Sequence, residues 1–243
     1  TFLAISLWGW DRVGKKAHFF STVMVCVGSH LSAIWILIAN SFMQTPEGFA
    51  LQYTDPATLA VSILPQGSVP TGEQISNTKA IITSFWELCT NPSCIDRITH
   101  TIAACWLCGA FLGLGICAYY IVRKRTDFAK SCAKIALSFA AVSAAAMFFT
   151  GHSSAQGLAV NQPEKLAAFE GHFRTEESAP LWLTGIVDTQ NREVRGIKLG
   201  GLLSFLAFGS TEARVYGLED LPTDEFLLKI YPGASKSELE KIR

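Results

Sequence analysis

The sequence predicts an all-α fold: a polytopic membrane helix bundle with a long extracytoplasmic loop. Three observations carry that expectation. Three long segments are apolar and almost free of Asp, Glu, Lys and Arg. Two connections, "DRVGKK" and "RKRTDFAK", are short and basic, which by the positive-inside tendency places them in the cytoplasm. The remaining connections are long and polar, with Pro and Gly in turn-like settings, and alternation puts them outside. With 20 Lys+Arg against 20 Asp+Glu the formal net charge is +0. That balance gives no charge excess for a nucleic-acid partner, and membrane lipid is the expected surrounding.

Residues 1–10, "TFLAISLWGW", are apolar from the first position, with no basic run before them and no small-residue cleavage pattern after them. A signal peptide fits poorly. The stretch reads as the end of a transmembrane helix that begins earlier, in a chain that is an internal piece of a longer protein. Residues 11–17 form a cytoplasmic loop. Residues 18–43, "HFFSTVMVCVGSHLSAIWILIANSFM", carry no acidic or basic side chain other than histidine and form the first complete transmembrane helix. Thr22, Ser29 and Asn40 share one of its faces, while Ser32 lies on another. Polar side chains in lipid must face protein or water, so that face serves either helix–helix hydrogen bonds or a proton path.

Residues 44–97 form an external loop. "QTPEGF", "DPATL" and "LPQGSVPTGEQ" make Gln44 to Asn77 a loop with little regular structure. "AIITSFWELC" predicts a short helix at the membrane interface, anchored by Trp86. Of the seven cysteines, Cys89 and Cys94 lie outside the apolar runs; on an oxidising face they either pair around Asn91-Pro92 or stay free. Residues 98–122 form the second complete transmembrane helix, 123–130 a cytoplasmic loop, and 131–149 the third helix, with Lys134 near enough to one end to snorkel. At a rise of about 1.5 Å per residue these helices run roughly 28 to 39 Å, against a hydrocarbon core of about 30 Å. Residues 150–243 form a second external loop, cut at its far end. In it, "NQPEKLAAFEGHF" predicts a helix with Asn161 as cap and Pro163 in the first turn. "LGGLLSFLAFG" is an apolar run too short to span, expected to lie on the membrane or against protein beyond this chain.

The chemistry rests on His100, within the start of the second apolar segment and just after Asp96 and Arg97. Two readings fit it. One is a helix-end histidine bonded to interfacial water or a carbonyl; the other is an axial haem ligand, since a neutral imidazole binds haem iron well. Ala103, Ala104, Cys108 and Gly115 supply the small neighbours a flat macrocycle needs on that side of the helix. His18, beside Lys15 and Lys16, reads as interfacial. His30, in mid-membrane, is either a buried hydrogen-bonding residue or part of a polar cavity. Nothing brings His152 and His172 together as metal ligands, and Cys105-x-x-Cys108 reads as packing inside an apolar helix.

On "GWDRVGKKAH", "GSHLSAIWILIANSFMQTPEGF", "NPSCIDRITHT", "GHSSAQGLAVNQPEKLAAFEGHF" and "LGGLLSFLAFGSTEARVYGLEDLP", taken in that order, the chain resembles subunit I of the cytochrome bd quinol oxidases over nearly its whole length. The connection 44–96 is longer than in many relatives, and "LPQGSVPTGEQISN" has no counterpart. The resemblance implies that residues 150–243 are the quinol-binding loop, with Lys165 and Glu170 in quinol oxidation. Their five-residue separation does not itself put them on one helix face. It implies that His100 is the axial ligand of the low-spin haem b, and that Ser32 belongs to a proton path toward the oxygen site. It also implies a quinol:oxygen oxidoreductase of the bacterial inner membrane. Such an enzyme oxidises ubiquinol or menaquinol at the outer face, passes electrons through the low-spin haem b to a haem b/haem d oxygen-reducing site, and generates proton motive force. Its partners are subunit II and small accessory subunits. Met24, Met43 and Met147 do not match the family's second axial methionine. That ligand, like those of the high-spin haem b and haem d, is expected outside this chain, which alone is expected to be inactive. His30 stands where many relatives carry asparagine. The competing readings are a b-type cytochrome serving another partner and a non-redox transporter or scaffold.

Overall fold

The computed structural model describes residues 1–65, 68, 72–230 and 235–242. Gln66, Gly67, Val69, Pro70 and Thr71 of the Pro/Gly-rich stretch, and residues 231–234 and 243, lie outside the described residues. In chain order the first elements are α1 (Phe2–Trp8), α2 (Lys15–Phe42), β1 (Phe49–Thr54), β2 (Val61–Ile63), α3 (Gly72–Ile75), β3 (Thr78–Ile82), α4 (Phe85–Cys89) and α5 (Cys94–Val122). Then follow α6 (Thr126–Asn161), α7 (Pro163–Phe169), β4 (Glu176–Glu177), β5 (Leu181–Asp188), β6 (Glu193–Leu199), α8 (Leu202–Phe208), β7 (Arg214–Val215), α9 (Asp224–Ile230) and α10 (Lys236–Ile242). The chain forms two units, one of Thr1–Gln44 with Cys94–Gly151 and one of Thr45–Ser93 with His152–Arg243.

The first unit is helical and built inside out. Its buried side chains are small, among them Ser21, Ser41, Cys94, Ala103, Ala110, Cys117, Ala129, Ala140 and Ser143. Its outward side chains are large and apolar, among them Leu31, Trp35, Ile36, Phe111, Leu112, Ile135, Val142 and Phe148. Small residues let helix backbones approach where lipid rather than water surrounds them, and an apolar exterior of this extent is hostile to water. Three helices, through Lys15–Phe42, up to Val122 and over Thr126–Asn161, are long and apolar enough to cross a membrane. At about 1.5 Å per residue the longest covers about 54 Å, more than a hydrocarbon core of about 30 Å, so its ends protrude.

Side-chain bonds set the helix register. Ser6 Oγ lies 3.1 Å from Thr22 Oγ1, and His18 Nε2 donates to the Ser6 carbonyl at 3.0 Å, which ties α1 to α2. The Arg97 guanidinium at the start of α5 donates to Asn40 Oδ1 at 2.9 Å and to Gln44 Oε1 at 2.8 Å, tying α5 to the end of α2. Thr22 and Asn40 thus make interhelical bonds, whereas Ser29 turns its hydroxyl to its own helix at the Val25 carbonyl.

The second unit corrects the all-α expectation, because it contains sheets. Gln44 to Asn77 is not a structureless loop. β1 pairs antiparallel with β2 (Gln52 opposite Ile63) and with β3 (Leu51 opposite Ala80), giving the order β2-β1-β3. "AIITSFWELC" divides between β3 and the short α4, whose Ser84 cap accepts from the Glu87 amide. Gly48, at φ +69°, brings the entry to β1 against α4; a Cβ there would stand 2.4 Å from the Ser84 carbonyl oxygen, so no other residue fits. Cys89 and Cys94 are both free thiols.

Two further corrections concern the later part. Asn161 does not cap the "PEKLAAF" helix. It is the last residue of α6, which continues past Phe149, and Gln162 is the cap residue of α7, with Pro163 at its first position. One face of the run around α8 packs within its own unit, while Phe205 and Phe208 on the same helix stay exposed. Leu203 and Ala207 are buried with Ala159, Leu166, Ala179 and Val215 in the core of their own unit. Ser204 anchors that helix from within: its Oγ accepts from the Ala179 amide at 2.8 Å and donates to the Ala213 carbonyl at 2.7 Å. β5 and β6 form an antiparallel hairpin and β4 pairs with β7.

Candidate functional site

His100 lies on α5 and is half-buried. It stands well inside the helix that starts at Cys94, so its backbone amide and carbonyl are used by the helix and its ring is free to act. Nδ1 lies 3.1 Å from Thr150 Oγ1 on α6. The Thr150 hydroxyl also donates to the Ala146 carbonyl, one turn earlier in its own helix, at 2.8 Å. Gly151 borders the ring as well: a Cβ there would stand 3.4 Å from Cε1 and 3.8 Å from Nδ1. Nε2 makes no hydrogen bond among the described residues. An imidazole held by one nitrogen, with the other unengaged and small residues Ala103 and Ala104 on the following turn, fits an axial haem ligand. No group of three or more His, Cys, Asp or Glu that could hold a free metal ion occurs among the described residues.

His30, on α2, is differently placed. Trp106 Nε1 on α5 donates to His30 Nε2 at 2.8 Å, and His30 Nδ1 lies 2.8 Å from the Cys26 carbonyl. Indole N–H is only a donor, so Nε2 accepts and Nδ1 carries the proton. Both nitrogens are used, and His30 is a hydrogen-bonding brace between helices rather than a cavity lining. Trp106 in turn packs near Phe139 of α6, with ring centroids 5.8 Å apart.

Ser32 is exposed on α2. It borders an open groove lined by Leu3, Met24, Val25, Gly28 and Ser29, and no contact joins it to His100.

Lys165 and Glu170 belong to the second unit. Lys165 lies within α7, half-buried, with Nζ 5.7 Å from the Phe169 ring centroid. Glu170 is the C-terminal cap residue of the same helix and is half-buried. Loss of hydration pushes its carboxyl pKa up, and the nearby His172 offsets this only in part. Gly171 follows at φ +60°, where a Cβ would meet Val194 Cγ2 at 2.9 Å; the turn after Glu170 therefore requires glycine. His172 is buried, with Nε2 3.2 Å from the Val215 carbonyl and Nδ1 3.7 Å from Glu176 Oε1. Helix α7 thus carries Lys165 in its first half and is capped at its C-terminal end by Glu170.

Sequence reasoning missed Thr150, Gly151 and the Trp106–His30 pair. The first two fall just past the apolar run that ends at Phe149. The only signal available was that consecutive antiparallel helices bring the start of one beside the end of the next.

Residues 1–232 match the family described as Cytochrome bd terminal oxidase subunit I. The chain is 30% identical over 226 residues to the cytochrome bd ubiquinol oxidase subunit 1 of Bacillus subtilis (strain 168), covering 92% of this chain and 43% of that protein. It is 33% identical over 229 residues to the cytochrome bd-II ubiquinol oxidase subunit 1 of Escherichia coli (strain K12), covering 93% of this chain and 40% of that protein. The chain therefore spans less than half the length of these relatives. Its fold is similar to a chain of the bd oxidase from Geobacillus thermodenitrificans, with a TM-score of 0.68 and 30% identity over 92% of this chain and 47% of that one.

Proposed function

The chain belongs to the cytochrome bd terminal oxidase subunit I family, and from that premise we propose that it is the low-spin-haem and quinol-oxidising part of a bacterial quinol:oxygen oxidoreductase. The protein is multi-pass, with three helices of membrane-crossing length and composition. We place it in the inner membrane with residues 44–97 and 150–243 on the outer side, because the short basic connections mark the cytoplasmic side. The observation that carries the reading is His100, whose Nδ1 is engaged while Nε2 has no partner among the described residues.

In this reading His100 holds the low-spin haem b through Nε2. The haem, when bound, supplies a one-electron acceptor near the outer membrane surface. Lys165 orients a quinol oxygen by charge-assisted hydrogen bonding, and Glu170 accepts a quinol proton and releases it outward. The raised pKa of Glu170 suits it to proton acceptance, since a carboxylate that binds its proton more tightly than usual is a stronger base. Ser32 belongs to a proton path from the inner side. The second axial ligand, the ligands of high-spin haem b and haem d, subunit II and any small accessory subunits lie outside this chain. The substrate is ubiquinol or menaquinol, and oxygen reduction with inner-side protons generates proton motive force.

The test is a reduced-minus-oxidised difference spectrum of the full-length oxidase. His100→Ala is expected to remove the low-spin haem b signal and leave the other haem signals in place. A spectrum unchanged by the substitution would refute the ligand role.

A further inference from the structure

We propose that Thr150 is the positioning residue for His100: its hydroxyl fixes which ring nitrogen is left for iron. This rests on the reading of His100 as the low-spin haem ligand and adds a residue to it. The Thr150 hydroxyl has one hydrogen, and it goes to the Ala146 carbonyl at 2.8 Å. Thr150 Oγ1 then meets His100 Nδ1, 3.1 Å away, with lone pairs only. Nδ1 must therefore carry the imidazole proton and donate it, and Nε2 must carry the free lone pair. The neutral ring is locked in the tautomer that presents Nε2, the nitrogen without a partner among the described residues.

The same bond fixes ring orientation. It runs from α5 to α6, so the imidazole plane is set by the packing of two long helices rather than by its own torsions. Gly151 completes the arrangement. Its missing side chain leaves the Cε1 edge unobstructed, since even a single Cβ would reach 3.4 Å from that carbon. Outer partners of this kind orient a metal-binding histidine, raise its basicity and are costly to remove. Donation from Nδ1–H increases electron density on the ring, which favours ferric over ferrous iron.

The experiment uses the full-length oxidase with Thr150→Val, which keeps the shape and removes the acceptor, and Thr150→Ser, which restores the hydroxyl. His100→Ala serves as reference. Two quantities are read: the midpoint potential of the low-spin haem b and the rate at which apomyoglobin strips that haem from the detergent-solubilised enzyme. Thr150→Val is expected to raise the potential and to speed haem loss by about 10- to 100-fold, with Thr150→Ser close to wild type in both. If Thr150→Val does not accumulate, Thr150→Ala carries the same expectation. Should Thr150→Val match wild type in both quantities while His100→Ala loses the low-spin signal, the positioning role is wrong and the ligand role stands. Should Thr150→Ser be as impaired as Thr150→Val, the hydroxyl is not the operative group and the proposal also falls. Should His100→Ala retain the signal, the ligand reading fails and Thr150 loses its role with it.

Discussion

The regions around His30 and His100 each place one imidazole in the helical unit, yet the two rings differ in what is left at Nε2. Around His30 the proton inventory closes: Trp106 supplies a donor to Nε2 and the Cys26 carbonyl takes the proton of Nδ1. Around His100 the proton is placed as well, toward Thr150, but the lone pair of Nε2 has no partner among the described residues. A ring with both nitrogens bonded is spent on helix contacts, whereas one with Nε2 unengaged can still take a metal. The comparison separates a brace from a candidate iron ligand on hydrogen-bond stoichiometry alone, although both are histidines of one helical unit.

The largest expected effect tests that separation directly. His100→Ala should abolish the low-spin haem b signal of the full-length oxidase, whereas His30→Ala should keep it; loss with His30→Ala and retention with His100→Ala would invert the comparison. Next in size is the second unit, where the titratable group is a carboxyl. Glu170→Gln and Lys165→Ala are expected to lower quinol-driven oxygen uptake by about 100-fold, the low end of general acid–base contributions. They should depress uptake driven by an artificial one-electron donor far less. Equal losses with the two donors would remove both residues from the quinol site.

Glu170 adds a pH dependence with a definite sign. Burial raises its pKa above the ordinary carboxylate value, and a base works only when deprotonated. Quinol-driven kcat/KM should therefore fall as pH drops through that raised value, and Glu170→Gln should flatten this acidic limb. The same shift bears on stability: the folded state binds the proton more tightly than the unfolded chain, so this group favours folding at low pH and that contribution is lost as pH rises through the folded pKa. Denaturation of wild type and Glu170→Gln across that window should differ by a gap that grows toward higher pH, in favour of Gln.

The smallest effect concerns the brace. Trp106→Phe removes the donor to His30 and should destabilise the helical unit by about 0.6 kcal/mol, the average for interhelical bonds in membranes. Its effect should not add to that of His30→Ala in a double-mutant cycle, and the haem spectrum should be unchanged. Full additivity would mean that the 2.8 Å contact contributes nothing to the packing of α2 on α5.

The long helices were legible in the sequence because uncharged apolar runs of that length are stable chiefly in lipid, though α6 extends far past Phe149. "GHSSAQGLAVN" looks polar but joins small, helix-compatible residues directly to the span, which is why Asn161 ends a helix instead of capping one. The strands were hidden for a different reason. "FALQYT" alternates weakly between turn residues, and its partner Thr78–Ile82 lies across a loop, so its pairing is a non-local fact that periodicity does not report. His100 was visible as a candidate from its position alone. Thr150 was not, since its meaning depends on the register of α5 against α6 and on where one hydroxyl proton goes.

The most direct test of the central claim is an experimental structure of the intact, haem-loaded oxidase at a resolution that defines the His100 ring. Porphyrin iron is expected on His100 Nε2, with Nδ1 still facing the Thr150 hydroxyl. A His100 ring turned to lipid or water with no porphyrin beside it, or iron bound through Nδ1, would contradict it.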